Sequence, residues 1–398
     1  MDGTPAVSQP PEPGPHGGLV LSGGGARGAY QVGVINALAE LFPGPLPFAA
    51  ITGVSVGAIN AAVLAEGADD FPKAAAKLNH LWRGLSSSDI FTTGPGAIAG
   101  QALGWANSVA FGWAGAQPPC SLLDAAPLEA LLTREIDFDR IEQMIEQGAL
   151  CAFAVTASSY TTGQSTTFFQ GQHPGATWER SRRLGIQTKI RVEHILASSA
   201  LPGVFKARKI GRQWYGDGAL RQTAPLSPAI HLGCDQMLLI AARDGTSDDP
   251  PEATDHEPYP QLGLIGGQLL DIIFNDNLDA DLERLRRINA TLGTMIPERR
   301  VGTNLRALST TLIRPSEDIR GFAGQHANEA PAAVKFILGL IGAMQPPWVL
   351  PSYLTFEPGY IGALIDLGYR DTCAAKENLT WIKKIQEGQA ARTCPVPH

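Results

Sequence analysis

Two short apolar runs in this chain each break into a glycine-bracketed turn and then into a helical pattern, and few folds accommodate that order twice. The first run, Gly18 to Ser22, meets Gly23-Gly24-Gly25-Ala26-Arg27-Gly28; Val32, Ile35, Leu38 and Ala39 then recur at helical spacing between Ala29 and Leu41. The second, Phe48 to Thr52, meets Gly53-Val54-Ser55-Val56-Gly57 and then a helix from Ala58 to Glu66. Further apolar runs at 151–157, 164–169 and 236–242 read as strands. Short strands without polar alternation, separated by helices, predict an α/β domain around a mostly parallel sheet. With 398 residues, 44% apolar and 17% charged, the chain can bury a large core.

The glycine loop has two readings. Gly23, Gly25 and Gly28 satisfy G-x-G-x-x-G, the dinucleotide fingerprint, and the same residues suit a turn that holds an oxyanion. Dinucleotide binding needs an acidic residue at the end of the second strand to grip the ribose. No Asp or Glu occurs between Glu40 and Glu66; a serine motif stands there instead. Gly53-x-Ser55-x-Gly57 fits a nucleophile elbow, a sharp strand-to-helix turn that projects a hydroxyl beside a helix N-terminus. A serine needs a base, and none of the eight histidines stands in a catalytic context. His194, in RVEHILASSALPGVF, reads as structural. Asp217, in Tyr215-Gly216-Asp217-Gly218-Ala219, is the better candidate, although Asp-Gly is also a common turn dipeptide.

Taken together, G-G-G-x-R-G, G-x-S-x-G and D-G-A in that order resemble the signatures of the patatin-like phospholipases, as does Ala197 to Phe205. The resemblance runs firmly from Gly17 to Ala242, and TFEPGYIGALIDLGYRDT resembles the tail of bacterial members. It implies a three-layer α/β/α patatin-like fold with a helical C-terminal extension. It also implies a serine lipid acyl hydrolase acting on phospholipids or lysophospholipids through an acyl-enzyme. Ser55 would be the nucleophile and Asp217 the base, with Gly218 and Ala219 shaping the loop of the base. Gly53 and Gly57 would shape the elbow. Gly23, Gly24, Gly25, Ala26, Arg27 and Gly28 would form the oxyanion hole, with Arg27 orienting the loop. No cofactor and no metal is implied. A carboxylesterase or acyltransferase, or a conditionally activated effector with low basal activity, are the alternatives.

The remaining expectations follow from composition and pattern. A formal net charge of −7 argues against a general nucleic-acid binder. Residues 1–16 read as a disordered leader, 17–242 as the catalytic domain, 243–260 as a mobile acidic loop, and 261–398 as a helical region packed on that domain. The stretch Ile90 to Leu123 carries no charged residue and reads as a buried helical hairpin or as a lid or interfacial segment; Ala332 to Met344 is apolar and helical, with core packing as its default; both are also candidates for an acyl groove and peripheral membrane contact. Between Gln261 and Leu292, Leu262, Ile265, Leu269, Ile272, Leu282, Leu285 and Ile288 make one amphipathic helical pattern, with Arg284, Arg286 and Arg287 as its solvated face. The apolar C-terminal helices leave room for a homodimer. Five cysteines without metal or redox spacing read as reduced thiols, which sets the expected location as cytoplasmic, with contact to a membrane surface.

Overall fold

The computed structural model describes residues 16–92, 123–173, 177–243, 259–300, 303, 305–388 and 394. The expected leader up to residue 15, most of the uncharged stretch Ile90 to Leu123, and residues 244–258 of the acidic loop lie outside the described residues.

Among the described residues ten strands form one sheet: β1 Gly17–Leu21, β2 Ala50–Val54, β3 Ala152–Ser159, β4 Ser165–Gly171, β5 Trp178–Arg180, β6 Arg183–Gln187, β7 Arg208–Ile210, β8 Gln213–Asp217, β9 Gln236–Ile240 and β10 Ser309–Ile313. The main order is β10-β9-β1-β2-β3-β4-β6-β5. From β10 to β3 every neighbour is parallel. Beyond β3 the sheet is mixed: β4 runs antiparallel to β3 and parallel to β6, and β5 runs antiparallel to β6. The β7–β8 hairpin attaches where β2 stops, with β8 antiparallel to the last residues of β3. The parallel half therefore gathers the carboxyl ends of β1, β2, β3 and β9, the place where α/β sheets bind ligands.

Period-two alternation sorts the strand side chains into two cores. Leu19, Leu21, Ile51, Phe153, Val155, Leu238 and Ile240 face the larger one. There they meet α1 (Ala29–Leu41), α2 (Val56–Glu66) and α3 (Phe71–Arg83). Val20, Ala50, Ala152, Ala154, Met237 and Leu239 face the other, closed by the Ser227–His231 helix and by Leu278, Leu282 and Leu285 of the Asn277–Thr294 helix. Helices on both faces complete the three layers. Outside α1, the Pro358–Ala374 helix makes a close crossing in which a side chain at Gly33 would strike the backbone at Ile365, and one at Gly368 the Tyr30 carbonyl. The helical C-terminal part is thus joined to the sheet domain through backbone contact.

The expected single amphipathic helix is divided. Leu262–Asp271 is α-helical, Ile272–Asp276 is a π-helical turn, and Asn277–Thr294 resumes the α-helix. The second helix buries its leucines as expected. The first turns Leu262 and Leu269 out, 70% and 54% exposed, and Ile272 at the start of the π turn is 53% exposed. The first helix packs through glycines, Gly263 against Ala343 and Gly267 against Val349. The extra residue of a π turn rotates the apolar stripe, which hydrophobic periodicity alone does not register. The Ala332–Leu340 helix is likewise two-sided, with Val334 and Leu338 in the core and Phe336 and Leu340 exposed. Among the described residues no helix is long and apolar enough to cross a membrane.

One expectation is overturned outright. Cys151 and Cys394 form a disulfide, with Cα atoms 5.4 Å apart across 243 residues of sequence. Their spacing carries no signal because the fold, not the local chain, returns residue 394 to the start of β3. Neither Cys234 nor Cys373 is in a disulfide. The crosslink removes the ground on which a reducing compartment was expected.

Candidate active site

Each part of the site begins at the carboxyl end of a strand. After β1 the chain turns at Gly24 (φ 154°) and Gly25 (φ 56°) into a 3-10 turn, Gly25–Gly28, that leads into α1. Gly25 is held twice over: its backbone conformation is left-handed, and a Cβ there would strike the Tyr353 carbonyl. As at any helix start, the first N–H groups of the turn have no intrahelical acceptor and point outward with the positive end of the dipole. Gly23 faces Ser55: a side chain there would come within 3.2 Å of the Ser55 Cβ.

Ser55 lies between β2 and α2 with φ 54° and ψ −127°. A non-glycine residue held there costs about 1–3 kcal/mol and persists only where its surroundings over-determine it. Those surroundings are specific. Side chains at Gly53 and Gly57 would collide with the backbone of α2 and of β1 respectively, so both positions permit the sharp turn by close approach. The Ser55 N–H donates to Ser198 Oγ at 2.8 Å, and the Ser198 hydroxyl donates to the Thr156 carbonyl at 2.6 Å. Ser198 ties the elbow to β3.

Asp217 ends β8, opposite Ala157 of β3. Its N–H donates to the Ala200 carbonyl at 2.8 Å, and its Oδ1 accepts the Ala219 N–H at 2.9 Å. Gly218 lies against the Thr156 carbonyl, where any side chain would clash, and its own carbonyl accepts the Ser158 hydroxyl at 3.1 Å. Two residues apart on the Val192–Ser198 helix and the turn after it, Ser198 and Ala200 therefore anchor Ser55 and Asp217. His194 of the same helix accepts the Arg191 N–H through Nδ1 and packs edge-on against Phe168, a structural placement.

The Asp217 carboxyl is fully buried, and burial pushes its pKa up to about 7. The Ser55 hydroxyl and the Ala219 N–H pull it partly back. Ser55 and Asp217, 162 positions apart in sequence, are thus brought into interaction. Oδ2 of Asp217 has no hydrogen bond of good geometry. A carboxyl near neutrality, with one oxygen fixed and one open beside a hydroxyl, is suited to take a proton from that hydroxyl.

Arg27 is 2% exposed and does not reach Ser55's neighbourhood as a free charge. Its Nε and Nη2 donate to Ser352 Oγ at 2.9 and 2.7 Å, and its Nη1 to Asp271 Oδ1 at 3.0 Å and to the Tyr353 hydroxyl at 2.9 Å. Its guanidinium lies 3.7 Å from the Tyr353 ring centroid. The C-terminal helices thereby clamp the glycine loop from 244 and 325 residues away. Local sequence gives no sign of Asp271, Ser352 or Tyr353; Ser198 and Ala200 fall in the Ala197–Phe205 segment, whose pattern is visible. Phe274, from the π turn, stacks on Tyr353 with centroids 5.4 Å apart and covers Gly23. Beneath it a cavity of about 20 Å³, lined by Ser22, Gly23, Gly53, Val54 and Ala219, has room for about one water.

The family model for patatin-like phospholipases matches residues 19–230, more than half of the chain. The protein belongs to the patatin-like phospholipase family. Among curated relatives of this patatin-like chain are the lysophospholipases nte1 of Aspergillus terreus and Aspergillus niger, 47% and 44% identical over 72 residues. Each match covers 17% of this chain and only 4% of the relative. Solved structures similar to it include VipD from Legionella pneumophila, at a TM-score of 0.40 and 13% identity, over 92% of this chain and 67% of that one. Human GIVD cytosolic phospholipase A2 matches at a TM-score of 0.44 and 11% identity, over 95% and 61%.

Proposed function

We propose that this protein is a serine lipid acyl hydrolase that cleaves fatty acyl esters of phospholipids or lysophospholipids, with Ser55 as nucleophile and Asp217 as general base. The observation that carries the reading is the buried Asp217 carboxyl, pushed up to about 7 beside a hydroxyl on a strained elbow. An ordinary aspartate near 4 is a poor base for an alcohol; this one is matched to working pH. As Ser55 Oγ attacks the ester carbonyl, its proton passes to Asp217 Oδ2. Negative charge moves to the carbonyl oxygen, which the N–H groups of the Gly24–Ala26 turn receive. Each such donor contributes about 3–4 kcal/mol to the transition state. Asp217 then returns the proton to the departing alcohol oxygen, and the acyl group stays on Ser55. Water repeats the cycle: it gives its proton to Asp217, and the fatty acid leaves as the proton returns to Ser55.

The closed site favours low basal turnover as a second element of the reading. Ser55 is 6% exposed and Phe274 packs over Gly23 beside it, and we read Phe274 as the side chain that moves when substrate enters.

The test is a lipid panel with products identified by mass spectrometry, using wild type, Ser55→Ala and Asp217→Ala. Free fatty acid released without an acceptor, and a loss of at least about a thousandfold in both variants, supports hydrolysis by this pair. Variants as active as wild type contradict it, and acyl transfer to an added alcohol without free acid points to the transferase instead.

A further inference from the structure

Between Tyr160 and Gln222 the chain carries ten Lys and Arg against three Asp and Glu, whereas the whole chain carries 31 against 38. The excess collects at the carboxyl end of β3, where the hydroxyl and carboxyl of the site also lie. Lys209 stands opposite Trp214 in the β7–β8 hairpin, its Nζ 5.9 Å from the Trp214 ring centroid, and Lys206 and Arg212 flank it. The β3–β4 turn joins this hairpin through Tyr160, whose N–H donates to the Trp214 carbonyl. The same turn meets Arg221 at Gly163, and Ser165 just after it donates to the Arg182 carbonyl.

Several cations elsewhere on the surface are neutralised by a neighbour. Lys77, Arg83, Arg134, Arg140 and Arg370 are each paired with a carboxylate. Among the described residues Lys206, Lys209, Arg212, Arg221 and Arg182 are all exposed, and none makes an ion pair. Two aromatic rings stand among them half in solvent, Trp214 and Tyr160, each 49% exposed. Unpaired long cations with amphipathic rings are the composition of a surface that meets lipid headgroups. An apolar rim adjoins it: the turn Gly218–Leu220, which leads to Arg221, touches the π turn Ile272–Asp276, next to the outward-facing Leu269 and Ile272. An acidic protein would satisfy the cations but not these apolar groups.

We propose that the β7–β8 hairpin and the turns beside it are a docking surface for an anionic lipid bilayer. β8 ends at Asp217, so docking there presents the site to the membrane and sets the headgroup charge of the lipids it meets. The proposal takes its purpose from the hydrolase reading, yet its test needs no turnover.

The Ser55→Ala protein is sedimented with vesicles of phosphatidylcholine alone, or with about one-third phosphatidylglycerol, at low and high salt. Each cation near an anionic surface contributes roughly fivefold to binding. The expected result is binding at least about tenfold tighter to the anionic vesicles, weakened by salt. Lys206→Glu, Lys209→Glu and Arg212→Glu together should reduce it about a hundredfold or more. Trp214→Ala should weaken it while leaving the salt dependence, and Lys383→Glu with Lys384→Glu on the far C-terminal helix should change nothing. In the Ser55-intact enzyme the triple variant should lose activity on anionic vesicles and keep it on a short soluble ester. Equal binding to both vesicles, binding untouched by the triple reversal, or capture of soluble polyglutamate in place of vesicles overturns the proposal. Vesicle binding without any Ser55-dependent hydrolysis would sink the hydrolase reading and leave the docking surface standing.

Discussion

A carboxyl buried at Asp217 weighs on the fold, whatever part it takes in the proposed chemistry. Its pKa stands near 7 in the folded chain against 3.8 ordinarily, so the folded state holds the proton over a range where the unfolded state has released it. Stability from this group is therefore intact below about pH 4, falls as pH rises, and reaches its full loss above about pH 7. The gap corresponds to about 4 kcal/mol as an upper figure. Asp217→Asn keeps an acceptor for the Ala219 N–H and removes the charge. It should melt higher than wild type near pH 8, by roughly 2–4 kcal/mol, with the advantage vanishing near pH 4, while activity is lost. Denaturation of both proteins across that range checks it. A difference that does not vary with pH would mean the carboxyl is not strained by burial.

At the scale of elements, the glycine loop is positioned by helices that come last in the chain. Removing Asp271 or Ser352 leaves Arg27 buried with fewer acceptors and loosens the turn whose N–H groups receive the oxyanion in the proposed mechanism. Asp271→Ala and Ser352→Ala should each cost about 1–3 kcal/mol of stability. Each should lower kcat about tenfold or more while KM on a soluble ester stays within about threefold, because the loop acts on the transition state. Normal kcat on the folded fraction would confine Arg27 to packing. The two strand–turn–helix units were legible in sequence because their signals are local: an apolar run, a glycine turn, then a period of 3.6. The Arg27 cluster was not, since its partners lie hundreds of residues away and a lone Asp or Ser on a helix carries no pattern. The π turn escaped for a related reason. Leu262 to Ile288 reads as one stripe until one extra residue per turn rotates its first half outward.

For the whole molecule, the chain closes on itself twice: the Pro358–Ala374 helix lies against α1, and Cys394 is bonded to Cys151. The disulfide closes 243 residues of sequence, which in chain-entropy terms gives at most about 5–6 kcal/mol. Cys151→Ser should lower Tm without changing kcat/KM, since β3 begins far along the strand from Ala157, the residue opposite Asp217; an unchanged Tm would show that the bridge closes no ordered loop. The fold's main act is to carry residues 55 and 217 from separate strands to one point. The rate at which a fluorophosphonate labels Ser55, followed as a function of pH in the wild type, reads that act directly. Labelling should rise about tenfold per pH unit and level off near pH 7, with no such rise in Asp217→Asn. A rate independent of pH, or label on any residue other than Ser55, would contradict the account.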